Sequence, residues 1–262
     1  MAVDPIHQFQ LTKLFTIGHI GGQEIAFTNS SAYMFASVAV ISLLMIGGTR
    51  GRQLVPGPGT RGRQLVPGRI QSLAELIYEF VASMIRGNVG PEGMRFFPLV
   101  FSLFTFIMVS NVIGIIPYAF TVSSHLIVTA ALALLVFFIV LSYGLYRNGL
   151  KFFKLFVPSG VPIYILPLVV VIEIIAFFFV KPVSHALRLF ANMLAGHIAL
   201  KVFASFVGML GALGLMGWMG AVFPLGLTVA LTALELLVAF LQAYVFAILT
   251  CIYLNDAIHP GH

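Results

Sequence analysis

"FFPLVFSLFTFIMVSNVIGIIPYAFTVSSHLIVTAALALLVFFIVLSYGLY" occupies residues 96–146, the whole interval between Arg95 and Arg147, and contains no charged side chain. A helix crosses the hydrocarbon core of a bilayer with about 20 residues, and an Asp, Lys or Arg at its centre costs about 3 kcal/mol. The 51 residues from 96 to 146 are long enough for two spans. "IIPYAFTVSSH" at 115–125 supplies the break, because Pro117 has no amide hydrogen and the polar run after it suits a turn. The sequence therefore predicts a helical hairpin over 95–147.

The same reasoning extends to both sides. Residues 25–49 carry no charge, which predicts a first span at 31–48 after an outer segment at 1–30. Two further apolar regions, 161–208 and 222–254, predict a long hairpin over 161–256. The chain is 60% hydrophobic and 8% charged, with mean hydropathy +1.06, whereas soluble domains carry about 25% charged residues. The expected fold class is an all-α integral membrane protein forming a single membrane domain over 1–262. It has five to six hydrophobic helices, one of them amphipathic and interfacial, and a C-terminal hairpin of two long helices.

Charge placement orients these spans. Arg50, Arg52, Arg61, Arg63 and Arg69 follow the first span, and Arg147, Lys151 and Lys154 follow the third. The positive-inside rule makes both connections cytoplasmic, with the N-terminus and the turn near His125 outside and the C-terminus inside. The net charge of +6 is accounted for by this placement and implies no nucleic acid. Asp4, His7, Lys13, His19 and Glu24 interrupt the N-terminal stretch, so the first span is expected to be an uncleaved anchor rather than a signal peptide. The single Cys251 cannot form an internal disulfide and is read as packing.

The cytoplasmic connection at 49–69 repeats "TRGRQLVPG" at 49–57 and 60–68, separated by Pro58 and Gly59. One copy suffices to fix orientation, and a flexible loop tolerates such a duplication. Beyond it, Ser72, Glu75, Glu79, Ser83 and Arg86 recur every three or four residues, marking an amphipathic helix over 70–87. Its other face, with Leu73, Leu76, Ile77, Phe80 and Met84, suits either the membrane surface or a partner helix.

The last two hydrophobic regions contain Glu173, Lys181, His185, Arg188, Asn192, His197, Lys201, Glu235 and Gln242. Intramembrane ionisable groups face a protein interior or a water-filled cavity and mark a pathway, unless they only join helices by hydrogen bonds. Arg188 fits that plainer role badly, because guanidinium does not deprotonate to escape burial. Lys181, His185, Arg188 and Asn192 follow one another by four, three and four residues and share a face. His197 points about 180° away from Arg188 and lies about 13 Å farther along an ideal helix. Glu235 and Gln242 share a face of the final helix, about 10 Å apart. If the two helices run antiparallel, placing Gln242 at the level of Arg188 brings Glu235 toward His197. Two polar layers result, one near the bilayer middle and one toward the outside. A His and Glu pair exchanges protons near neutral pH, whereas an arginine at mid-depth favours the ionised form of a carboxylate brought beside it. Glu173 lies about four turns to the cytoplasmic side, too far from Arg188 for contact and suited to an inner access route.

"KPVSHALRLFANMLAGH" at 181–197 and "ELLVAFLQAYVFAILTCIYLNDA" at 235–257 resemble the two signature helices of subunit a of F-type ATP synthases. "MVSNVIGIIPYAFTVSSH" at 108–125 looks like the third-helix segment of that family. The resemblance implies a bacterial inner-membrane stator that exchanges protons with carboxylates of a rotating c-subunit ring, with peripheral-stalk b-type subunits and the lipid bilayer as its other partners. It makes Arg188 the gate, with Asn192 and Gln242 beside it, His197 and Glu235 the outer half-channel, and Glu173 and His185 the inner one. The His197/Glu235 arrangement resembles the mitochondrial and alphaproteobacterial type. The resemblance also implies that the two final helices are strongly tilted. "EIIAFFFVKP" at 173–182 is one residue longer between the acid and the Lys-Pro than the family pattern leads one to expect.

No phosphate-binding loop, metal-ligand cluster or nucleophile beside a base occurs, so the chain is expected to bind no cofactor and not to be catalytic by itself. The other readings are a proton-coupled secondary transporter, which would usually show internal helix repeats, and a structural assembly protein of the membrane. H⁺ is favoured over Na⁺ as the ion.

Overall fold

A computed structural model describes residues 12–20, 23–50, 53–56, 63–66, 69–116, 119–157, 162 and 164–259. Pro117, Val161, and Arg52, Pro58, Gly59 and Arg61 of the duplicated connection lie outside them. The described part is all-α in its body. Five helical segments are long and apolar enough to cross a membrane: Asn29–Gly48, Pro91–Ile115, Leu126–Asn148, Leu166–Gly211 and Met216–Ile258.

The chain enters through an antiparallel hairpin, β1 (Lys13–Ile20) and β2 (Gln23–Thr28), in which Ile20 faces Gln23. The span analysis treated this stretch only as an outer segment. Gly21-Gly22 between two β-rich runs is the hairpin signal that would have found it. Thr28 then caps helix α1 (Asn29–Arg50), its hydroxyl accepting from the Ser31 amide at 3.4 Å. The two copies of the repeated string pair with each other. Strands β3 (Gln53–Pro56) and β4 (Arg63–Val66) form an antiparallel ladder that sets Gln53 opposite Val66 and Leu54 opposite Leu65.

Helix α2 (Arg69–Asn88) buries Ile77, Val81, Met84 and Ile85 and exposes Ser72, Glu75, Glu79, Ser83 and Arg86. Its apolar face packs against α1, α3 and α7, while Leu73 and Leu76 remain exposed beside it. Helix α3 (Phe97–Ile115) admits Pro98 in its first turn, where the missing N–H would be unpaired anyway. It stops at Ile116, whose extended backbone is what a following proline imposes. Helix α4 (Leu126–Asn148) returns, and the side-chain amide of its last residue, Asn148, donates to the Ala257 carbonyl at 2.6 Å.

Helix α5 (Leu166–Ile175), a π turn (Ala176–Val180) and helix α6 (Lys181–Gly211) run without a break. Pro182 explains the π turn. A proline ring clashes with the carbonyl four residues back, here that of Phe178, and a widened turn relieves the clash. The turn also takes up one residue more than an α turn between Glu173 and Lys181. Phe177 anchors it, buried against Phe137, Phe152, Phe156 and Phe178.

A tight reversal joins α6 to α7 (Leu215–Ile258), with Gly214 at φ 81° and Gly217 so near the Leu210 carbonyl that a side chain there has no room. Helix α7 has 44 residues, about 66 Å at 1.5 Å per residue. A bilayer is about 45 Å thick with its headgroups, so α7 and the α5–α6 rod can remain within it only when steeply inclined. Helix α7 lies at the centre of the bundle, against α3, α4, α6 and α2, and its small residues Ala239, Ala243 and Ala247 are fully buried there.

Candidate functional site

The polar groups of α6 and α7 sort by face. On the outward face of α6, Arg188 is exposed within a shallow, largely apolar groove lined by Phe179, Val180, Val183, Ser184 and Leu187. Asn192, one turn along, is exposed on the same side. Gln242 is buried in α7, and no hydrogen bond or ion pair among the described residues joins it to Arg188. Arg188 has no carboxylate partner among the described residues. A guanidinium halfway along a 46-residue apolar helical segment, with no counter-charge among the described residues, leaves this surface electrostatically incomplete by itself.

On the inward face, His197 Nδ1 lies 2.9 Å from Glu235 Oε1, and both side chains are more than nine-tenths buried. The antiparallel register of α6 and α7 thus brings together the two residues that helical counting placed on one level. Their approach depends on Gly196, where a Cβ would stand 3.0 Å from Glu235 Oε1.

Sequence reasoning missed a buried polar network one turn along α7 from Glu235. Asn111 of α3 donates through its side-chain amide to the Ala239 carbonyl at 3.3 Å and accepts from the Ser123 hydroxyl. Ser110 donates to Ser37 of α1 at 3.1 Å. The only sequence signal was a polar cluster at the end of an apolar span, which reads equally well as a turn.

Toward the other end of the hairpin, His185 is buried with its ring 3.8 Å from that of Phe246. Lys181 lies 3.4 Å from Asp256 Oδ2 and also rests over the rings of Phe177 and Tyr253. Asp256 was not singled out from sequence, because it is the last acid of the chain and reads as an ordinary helix end. Glu173 is half-buried on α5 and joined to neither Arg188 nor His185. At the same end Arg147 closes a 2.6 Å ion pair with Glu92, tying α4 to the Pro91–Phe96 turn.

Residues 31–255 match the family model described as ATP synthase A chain. The chain belongs to the ATP synthase A chain family. Relatives named ATP synthase subunit a include one from Rhodopseudomonas palustris strain BisB5, 80% identical over 262 residues with 100% of both chains covered. One from Bradyrhizobium diazoefficiens is 71% identical over 263 residues, again covering 100% of both. One from Nitrobacter winogradskyi is 70% identical over 260 residues, covering 99% of this chain and 100% of its own. The family match spans both faces of the α6–α7 hairpin and thus all of Glu173, His185, Arg188, Asn192, His197, Glu235 and Gln242.

Proposed function

We propose that the chain is the stator of a proton-translocating F-type ATP synthase, in which two offset half-channels load and unload carboxylates of a rotating c-subunit ring, with Arg188 as the gate. The observation that carries this reading is the exposed, unpartnered Arg188 in its apolar groove. A permanent cation on a lipid-facing surface is costly unless a mobile anion from another chain meets it, and a ring carboxylate is such an anion. Asn192 borders that contact on the surface, and Gln242 backs it from the neighbouring helix.

A proton from outside reaches the buried His197–Glu235 pair and passes to an arriving ring carboxylate. Neutralised, the carboxyl travels through lipid and releases the proton at an inner exit near Glu173 and His185. Before reloading, the ionised carboxylate meets Arg188, which favours its charged form. The fixed positive charge also repels protons that would otherwise short-circuit the two half-channels. The chain performs no catalysis of its own. Its other partners are b-type stalk subunits and the lipid of a bacterial inner membrane, with the N-terminus outside and the C-terminus cytoplasmic. Family membership does not favour the secondary-transporter alternative.

The decisive experiment is Arg188→Ala in membrane vesicles. Proton-driven ATP synthesis is expected to be lost while the complex remains assembled, and normal synthesis would remove Arg188 from the gate.

A further inference from the structure

The β1–β2 hairpin and the start of α1 are tied into one piece. The Thr12 amide donates to the Asn29 side-chain oxygen at 3.3 Å, and the Asn29 amide donates to the Thr12 carbonyl at 3.1 Å. A row of three aromatic rings crosses this joint. Phe15 of β1 faces Phe27 of β2 and stacks on it with ring centroids 4.9 Å apart, and Phe27 stacks in turn on Phe35 of α1 at 5.9 Å. Beside this pair the register shifts, with Lys13 opposite Thr28 and Phe15 opposite Phe27. Leu14 therefore shares with Phe15 the place opposite Phe27, as in a bulge. Leu14 and Phe15 are 57% and 58% exposed, and Phe35 is 67% exposed. A contiguous apolar patch left open in this way marks a docking surface.

Helix α1 sets the direction in which the row faces. Tyr33 lies 6.1 Å from Phe120, and Ser37 is bonded to Ser110 of α3, so these two residues mark the side turned to the protein. Phe35, two residues from each, is on the opposite side, where Val38 and Leu43 are also exposed. Depth follows from length. The window Asn29–Gly48 has 20 residues and is only 11% buried within the chain. At 1.5 Å per residue it measures about 30 Å, the thickness of the hydrocarbon core, which puts Asn29 at the core boundary. Phe35 is about 9 Å inside that boundary, and side chains on a helix lean toward its N-terminus. Two stacking steps then carry the rings of Phe27 and Phe15 to the level where acyl chains meet headgroups.

We propose that the hairpin docks on the membrane through this row, with Leu14, Phe15 and Phe27 among the acyl chains of the leaflet at the N-terminal end of α1. Lipid is the occupant because the row continues the lipid-facing side of a span without a break. Burial of the apolar side chains drives the docking, and the paired hydrogen bonds of Thr12 and Asn29 pass it to the helix, fixing the depth and rotation of α1. The inference needs α1 to span the membrane and does not depend on the role of Arg188.

The test puts photoreactive p-benzoylphenylalanine in place of Phe15 in the full chain, within assembled ATP synthase in native membranes. Its excited ketone inserts into C–H bonds within reach and returns unchanged from water. Illumination is expected to raise the mass of the subunit by that of one phospholipid, as it should with the same residue in place of Leu43, which is 70% exposed on α1. A cross-link from position 15 to another protein overturns lipid as the occupant. Lipid adducts at position 43 with none at position 15 place the row in water and overturn the docking itself. Should the replacement of Phe15 prevent assembly, p-benzoylphenylalanine in place of Leu14 decides by the same outcomes. Normal synthesis in Arg188→Ala would refute the stator reading and leave the lipid adduct standing, whereas a protein cross-link at position 15 refutes this inference alone.

Discussion

Gly196 controls how closely α7 can approach α6 at the outer polar pair, since a Cβ there would already press on Glu235 Oε1 at 3.0 Å. Gly196→Val adds a branched side chain in that space and must move the carboxylate away from His197. Misplacement on the order of 1 Å costs reacting groups about a hundredfold. Proton-driven synthesis in vesicles should fall by about that factor with the subunit still present, and an unaffected rate would mean that the His197–Glu235 contact is not on the path. His125, in the turn between α3 and α4, titrates differently. It stacks on Phe120 at 4.8 Å, its Nε2 has no partner among the described residues, and burial holds its pKa below the usual imidazole value. The fold therefore favours neutral His125. Above pH about 6.5 both states are neutral and the group contributes nothing; below it the unfolded chain binds the proton more readily, so stability falls as pH falls. His125→Phe keeps the stack and should flatten the acid side of a melting-temperature profile of the lipid-embedded protein between pH 5 and 7, about the range in which imidazole charges. An unchanged profile would exclude His125 as its source. At this scale the pairing of His197 with Glu235 was legible, because fixed helical spacing carries it. The partners of Asn111 and Asp256 were not, because only the packing of α3 and α6 on α7 brings them near.

The π turn between α5 and α6 is the element that sequence counting handles worst. Glu173 and Arg188 are 15 residues apart in the chain, which on a regular helix puts them about 60° apart in projection. The π turn removes one residue's rotation and leaves them about 40° apart on the other side. Acid and arginine thus stay within about 60° of each other with or without the widening, and only the direction of the offset is reversed. Periodicity cannot reveal a π turn, because the widening is a local response to Pro182 and to the aromatic socket around Phe177. An alanine inserted after Phe179 finds that widening already used. It should swing Glu173 by about 100°, to about 60° on the opposite side of Arg188, and lower proton-driven synthesis while the Lys181–Asp256 end of the hairpin still assembles. Synthesis at the parental level would show that the phase of Glu173 does not matter.

For the whole molecule, the uncharged windows and the placement of arginines were enough to read an all-α membrane bundle, since the cost of buried charge acts on composition alone. Tertiary choices such as α7 at the centre were not legible, because the spanning helices are apolar on most of their faces and periodicity does not distinguish protein from lipid. The duplicated string is the one long feature that this bundle does not need. Its copies form a ladder with each other, Gln53–Pro56 on Arg63–Val66. The flanking helices meet without it: Gly48 of α1 is buried where a Cβ would touch Ala74 of α2. Deleting residues 58–68 leaves the seven residues 51–57 between Arg50 and Arg69, a reach of about 23 Å at 3.3 Å per residue. That is ample for neighbours already in contact, and shortening a connection by this much changes closure entropy by less than about 1 kcal/mol. In the proposed orientation, Arg50, Arg52 and Arg69 remain as the positive charges that favour the cytoplasmic side for this connection. The deletion variant should insert in the same orientation, reported by tags at both termini, and support proton-driven synthesis at the parental rate. Inverted tags would mean that the second set of arginines fixes topology, and correct insertion without synthesis would give the paired copies a role in contacting the stalk.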